Sequence, residues 1–523
     1  MIGYIAIALV LLFVYRFIIK NLMIYFTYKS KFGDKVAFMF YPLLGNFGIS
    51  RKSFRQYGDS LHILKTIQKT KPDIKAVMVF NGFIIQIIII DTQLQKVFLQ
   101  NTKNYYKVEG PFGARDAFGQ GLVVSEDKKW TRQRNFLSNS FHFNALKNRV
   151  PVIKEITKEF LSALPSDGKT PITIIEELQN ITSEVIIQTF FGENLKGMTV
   201  NGLQPSVEIS KIIGDGFSYK ANSFAYFLKL MIFGQEKASR VLNTTFEKNF
   251  LKRVENYNQF IEGIVDKRLT ELEKMTDTSK VDENFLNLYL LEYIKQQKAL
   301  KENPNQFADY ELIPKREIVH QFTTFFFAGM DTTANQTGIC LWVLAQHPEL
   351  QQKIRAEIDS VINTFDDLKH EDLNKLEYFN AFFKESLRVY PTAPQVIPRV
   401  SARDHMVDDF PIPKGAFVSN LTIQYNEQKF PALCKDIDTF NPDRFLDKNA
   451  IQDHFSFIPY SAGPRNCIGQ HLALIEAKVM IAYILKNYVV LPNEEHKKVR
   501  FNHLFLYTSY ERDIIKLKKL TTA

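Results

Sequence analysis

No proline falls between Pro314 and Pro348, and the stretch between them is rich in apolar residues. Pro314 suits a first helical turn, and Pro348 ends the run. A helix from there to Gln346 would be about 48 Å long, enough to cross a whole domain. That length favours one large domain for the 523 residues over the about three that a length prior suggests. Helical patterns also run from Val150 to Tyr293, and the polar segment Lys301–Tyr310 ends them. Ala76–Phe80 and Phe83–Ile90 are apolar runs joined at Asn81-Gly82, a strong hairpin signal, after which Asp91 caps a helix through Phe98. Residues 394–425 mix prolines with β-branched residues and read as short strands. The fold class is mainly α with a small β part. Apolar residues make up 45% and charged residues 23%, with Gly (23) and Pro (20) not enriched, which excludes a collagenous or disordered chain. Cys340, Cys434 and Cys467 are too few to staple a chain this size and fit a reducing compartment. The 66 Lys+Arg against 56 Asp+Glu give +10 with no basic block, so no nucleic acid partner is expected.

The run Ile2–Ile19 is apolar except for Arg16 and spans roughly 27 Å, close to a bilayer's hydrocarbon thickness. No Lys or Arg precedes it, unlike a cleaved signal peptide, and Arg16, Lys20, Lys29, Lys31 and Lys35 follow it. The positive-inside rule then leaves the body in the cytosol. The expected organisation is a single-pass membrane anchor and flank over residues 1–28, with one domain over 29–523.

The chemistry concentrates in Phe457–Gly469, which contains Tyr460, Gly463, Arg465, Cys467 and Gly469. A helical pattern starting at Ile468 would set the Cys467 sulfur at a helix N-terminus, where amides and a nearby guanidinium favour a thiolate. A thiolate there suits a heme iron, because its electron donation favours O–O cleavage. An inert buried cysteine is the plainer alternative, which the glycine and arginine spacing outweighs. This segment resembles the heme-binding signature of the cytochrome P-450 superfamily, Phe-x-x-Gly-x-Arg-x-Cys-x-Gly, with Tyr460 where the family has Phe. The resemblance runs from about Tyr41 to the carboxyl terminus. It implies heme b with Cys467 as axial ligand. His471 lacks partners for a zinc site and reads as a surface or neighbouring residue.

Three further segments resemble the same family in order and spacing. Glu385-Ser-Leu-Arg388 with Phe440–Phe445 is similar to its Glu-x-x-Arg and Pro-Glu-Arg-Phe set, which implies a buried Glu385–Arg388–Arg444 network, with Asp443 in place of Glu. Trp130-Thr-Arg-Gln-Arg134 resembles the helix whose Trp and Arg bond a heme propionate, and Arg399 and Arg465 are similarly placed. Ala328–Thr333 resembles the oxygen-activation motif, which implies that Asp331 and Thr332 face the iron and relay protons. Gly329, costly in mid-helix by about 1 kcal/mol, is read as leaving room for cofactor and oxygen. One of Phe325–Phe327 is expected to face substrate. Only Pro42 stands where membrane-bound relatives carry a proline-rich hinge.

By this resemblance the chain is an endoplasmic reticulum monooxygenase that activates O2 and oxidises a lipophilic substrate. No flavin or Rossmann fingerprint is present, so NADPH electrons would come through a partner flavoprotein reductase, with cytochrome b5 a second donor. Lys128, Lys129 and Arg132 form a candidate docking face, against the bland reading of a solvated face. The alternatives are a reductase-independent heme-thiolate isomerase or dehydratase, and a non-catalytic heme carrier or sensor. Pocket walls are expected from Val108–Gly121, the helix near Phe326, Thr392–Ile397 and Leu504–Tyr507. The sequons at Asn180, Asn243, Asn335 and Asn420 are expected to stay unmodified.

Overall fold

The computed structural model describes the chain except residues 1–3, 5, 6, 8, 9, 12, 13, 42–45, 82, 83, 108–111, 278–280, 448, 450, 497, 504, 505 and 521–523. The helices that frame the interior are, in chain order, α1 (Asp127–Ser138), α2 (Ile174–Ile186), α3 (Pro205–Asn222), α4 (Lys315–Gln346), α5 (Glu377–Val389) and α6 (Gln470–Asn487). Pro314 occupies the N-cap of α4 and Pro348 the first turn of the next helix, so both punctuate the chain as their chemistry requires. Almost all of α4 is buried, its polar residues such as Glu317, Asp331 and Asn335 included, so the helix is packed on nearly every side.

A six-stranded sheet lies beside the helices. It contains β1 (Val36–Phe40), β2 (Ala76–Asn81), β3 (Ile84–Ile89), β4 (Tyr105–Lys107), β5 (Arg399–Ser401) and β6 (Phe417–Asn420), in the order β1-β2-β3-β6-β5-β4. The hairpin β2–β3 is antiparallel and its register reaches Asn81↔Ile84. Asn81 is therefore a strand residue rather than a turn residue, and the connection Gly82-Phe83 lies outside the described residues. Asp91 caps the next helix, Thr92–Gln100, with Oδ1 accepting from the Gln93 and Leu94 amides at 3.0 and 3.1 Å. The outer strand β4 pairs antiparallel with β5, setting Lys107 directly opposite Arg399.

Close packing of α2 on α4 explains the mid-helix glycines. A Cβ on Gly329 would stand 2.6 Å from Ile186 Cδ1, and one on Gly338 would stand 2.5 Å from Ile175 Cγ1. Thr182 on α2 also donates to the Met330 carbonyl at 3.0 Å. Gly329 thus admits a neighbouring helix, where the motif had suggested room for a cofactor.

Among the described residues, no helix is long and apolar enough to cross a membrane. Nine residues of the anchor expected over 1–28 lie outside them, as does the hinge residue Pro42. The helix Lys20–Phe32 packs on the body: Tyr28 and Phe32 are buried, with ring centroids 5.2 and 5.0 Å from that of Phe410. Tyr28 also donates to the Pro411 carbonyl. Side chains before residue 29 therefore already belong to the packed domain.

Candidate active site

The loop before α6 is shaped by two left-handed residues, Ser461 (φ 63°) and Gly463 (φ 73°). A side chain at Gly463 would put its Cβ 2.8 Å from the Leu99 carbonyl oxygen, so glycine lets this loop press onto the end of the Thr92–Gln100 helix. The Cys467 amide closes the loop by donating to the Tyr460 carbonyl at 2.9 Å. Gly469 is the N-cap of α6, whose first residue, Gln470, lies two after the Ile468 start read from the sequence. Cys467 is exposed, yet desolvation by the surrounding protein raises its thiol above the ordinary range. The amides of Gly469 and Gln470 and the Arg134 guanidinium pull the other way. Burial outweighs them in setting the direction of the shift.

Cations gather around this loop. Arg134 from α1 donates to the Asn466 carbonyl at 2.8 Å and to Asn466 Oδ1 at 2.7 Å, clamping the residue before the cysteine. Arg465 donates to the Ser125 carbonyl at 2.7 Å and lies 4.1 Å from the centre of the Trp130 ring. Arg399 on β5 is buried over Phe98, 5.0 Å from its ring, with Nε and Nη2 lacking a hydrogen-bond partner among the described residues. Across the β4–β5 register, burial and the charges of Arg399 and Arg465 push the Lys107 ammonium down to about 7. Glu126, whose carboxylate accepts from the Lys107 amide, opposes that shift. A buried guanidinium with two orphaned donors is costly unless an anion meets it. Trp130, Arg399 and Arg465 thus fit the two carboxylates of a heme, and Cys467 fits its iron.

The middle of α4 opens onto space where its flanks do not. Ala328 is exposed and Gly329 and Thr332 are half-buried, while Phe325, Phe326, Phe327, Met330, Asp331 and Thr333 are buried. Thr332 Oγ1 donates back to the Ala328 carbonyl at 2.7 Å, leaving its lone pairs to the open side. Asp331 points elsewhere. Its Oδ1 accepts from Gln179 Nε2 at 2.7 Å and Ser210 Oγ at 3.1 Å, on α2 and α3. Burial pushes its carboxyl up to about 6. The acid and the hydroxyl were pictured facing one point; successive side chains on a 3.6-residue helix diverge by about 100°, and here they do.

The network beneath α5 is present. Arg388 grips Glu385 through Nε and Nη2, both at 2.7 Å, and Arg444 Nε reaches Glu385 at 3.1 Å. Asp443 stands outside it, paired with Lys353 at 3.2 Å on the surface, so Asp in place of Glu is easily accommodated. Arg132 is turned inward: Nη2 bonds the buried Glu317 carboxylate at 2.6 and 2.5 Å, and Nε bonds the Tyr310 carbonyl at 2.9 Å. It leaves the expected docking face, and Lys128 sits 4.7 Å from the centre of the Tyr310 ring.

Of the expected pocket walls, residues 108–111, 504 and 505 lie outside the described residues. Phe118 packs on Phe327 with centroids 5.9 Å apart. Tyr507 is core rather than wall, buried with its hydroxyl donating to Asp59 at 2.8 Å. His471 is exposed beside Gln470. Asn335 and Asn420 are buried, which closes those two sequons to modification in the folded protein.

The family profile described as Cytochrome P450 matches residues 48–515. The chain is 28% identical over 411 residues to the Drosophila melanogaster protein called Probable cytochrome P450 4ac3, covering 77% of this chain and 74% of that one. It is 27% identical over 425 residues to human Cytochrome P450 3A7, covering 79% and 78% respectively.

Proposed function

Because the chain belongs to the cytochrome P450 family, and is thereby a heme-thiolate monooxygenase, we propose that it oxidises a lipophilic substrate with NADPH electrons passed by a flavoprotein reductase. The observation that carries this reading is the opening at Ala328 and Thr332 on an otherwise buried helix. Heme b, bound through Cys467, supplies the activation of dioxygen and the insertion of one of its atoms.

The chain's own groups do the rest. Trp130, Arg399 and Arg465 hold the carboxylate edge, and Arg134 fixes the cysteine loop through Asn466. Amides at the start of α6 face the sulfur and stabilise its negative charge. Thr332 keeps a water on the open side of α4. Burial brings the Asp331 carboxyl up to about 6, where it can take up and release a proton close to neutral pH, as a general acid requires. Phe118, Phe326 and Phe327, among the apolar residues expected to wall the pocket, suit a fatty acid, a sterol or a foreign compound.

The N-terminal run anchors the protein in the endoplasmic reticulum membrane with its body in the cytosol, where reductase and cytochrome b5 have access. Support comes from the run's length and the cations that follow it. The test is the carbon monoxide difference spectrum of the reduced protein, followed by NADPH consumption with added reductase. A far-red-shifted Soret band with reductase-dependent turnover is expected. The red-shifted band without reductase-dependent turnover would favour the isomerase or carrier.

A further inference from the structure

The carboxyl of Asp331 is held by partners that the motif around it does not specify. Oδ1 accepts both hydrogen bonds, from Gln179 and Ser210, and no described residue bonds Oδ2. Gln179 on α2 and Ser210 on α3 are both half-buried, so each touches the buried carboxyl while part of its own surface stays accessible to water. Both are uncharged. No charged side chain from these helices, or from any other described element, acts on the carboxyl. Burial raises it to about 6, and the two hydrogen bonds oppose that rise. A cation in their place would hold the group ionised; neutral donors let it take up and release protons near neutral pH.

We propose that Gln179 and Ser210 are positioning residues of a proton inlet: they anchor Oδ1 from the outer side, leave Oδ2 to carry the proton, and admit the solvent water that replaces it. This rests on the reading of Asp331 as a proton donor. In each delivery the Oδ2–H bond breaks, the proton crosses by intervening water from the Asp331 face of α4 to the water kept by Thr332, and a carboxylate remains with its charge on the Gln179 and Ser210 donors. Water entering past Ser210 returns a proton to Oδ2 and restores the acid. Two protons from solvent and two electrons from NADPH balance one oxygen inserted and one water formed.

The test uses the full-length holoprotein with NADPH, reductase and dodecanoate as a lipophilic probe. Two quantities are followed across pH: the infrared carboxyl band lost in Asp331→Asn, and the peroxide released per NADPH. Removing donors that stabilise the carboxylate raises its pKa. In Gln179→Leu/Ser210→Ala the midpoint should therefore move up by about one pH unit, and peroxide per NADPH should rise severalfold. Ser210→Ala alone loses a single oxygen and keeps the fold; it should shift the midpoint in the same direction, and Ser210→Thr should restore it. The carbon monoxide band should be unchanged in every variant. An unmoved midpoint in the double variant overturns the proposal, as does a moved midpoint with unchanged peroxide release. If Asp331→Asn itself leaves peroxide release unchanged, the reading of Asp331 as proton donor fails instead.

Discussion

Replacing Glu385 by Gln should destabilise this protein more than its chemistry suggests. The carboxylate accepts from Arg388 Nε and Nη2 at 2.7 Å, from the Asn441 amide at 2.8 Å and from Arg444 Nε at 3.1 Å. Glu385 and Arg388 are 0% exposed and Arg444 is 6% exposed. Gln keeps one acceptor oxygen and turns an N–H2 group toward two guanidiniums. Both cations stay buried, solvated among the described residues by the carbonyls of Ile437, Thr439, Leu433 and Lys435. Breaking one side of a buried ion network typically costs about 3–5 kcal/mol. A urea titration followed by circular dichroism and by the carbon monoxide band should show a much lower midpoint and early loss of heme. Asp443→Asn is the control, because its pair with Lys353 is more than half exposed on both sides and such pairs contribute about 0–1 kcal/mol. A triple variant with Glu385→Leu, Arg388→Met and Arg444→Met should recover much of the stability yet retain heme poorly, because the triad specifies geometry more than it adds stability. If Glu385→Gln unfolds at the same urea concentration as Asp443→Asn, the reasoning from burial is wrong.

Cys467→Ala should abolish the red-shifted band and most heme retention; a surviving band would move the ligand to Cys340 or Cys434, which are both buried. Thr332→Ala should preserve that band while product formation falls by about 10²-fold or more, and peroxide-driven turnover should suffer less; equal losses by both routes would make Thr332 structural. Deleting residues 1–19 should release protein from membranes with heme intact, whereas deleting 1–28 also removes Tyr28 from Phe410 and should lower the melting temperature. Equal melting of the two truncations would show that the Tyr28 contact contributes nothing.

What could be read in advance was local. Gly463, Arg465, Cys467 and Gly469 are close in the chain and act within one loop, so their spacing carries their geometry. Glu385 and Arg388 stand one helical turn apart, and α4 is bounded by its prolines. Features that depend on tertiary contacts were not legible. Lys107 joins the cation cluster only through its register with Arg399, a pairing between distant segments. Gln179 and Ser210 meet Asp331 because α2 and α3 pack on α4, and nothing near either residue signals that contact. Arg132 looked like a surface cation because its partner, Glu317, is a buried acid on another helix. The direction of Asp331 failed for a related reason: adjacency in a motif does not mean a shared helical face.

The approach of Ile186 to Gly329 couples two positions that no local pattern connects. An alanine arriving first at 329 would meet the Ile186 side chain at 2.6 Å, and the helices would have to part or the isoleucine change rotamer. A shorter residue arriving first at 186 would leave a small void and lose one methyl group's packing, typically about 1 kcal/mol. The second order of substitution is therefore the passable one, so in this chain's history a change at 329 is contingent on one at 186. The same logic binds Ile175 to Gly338, where the separation is 2.5 Å.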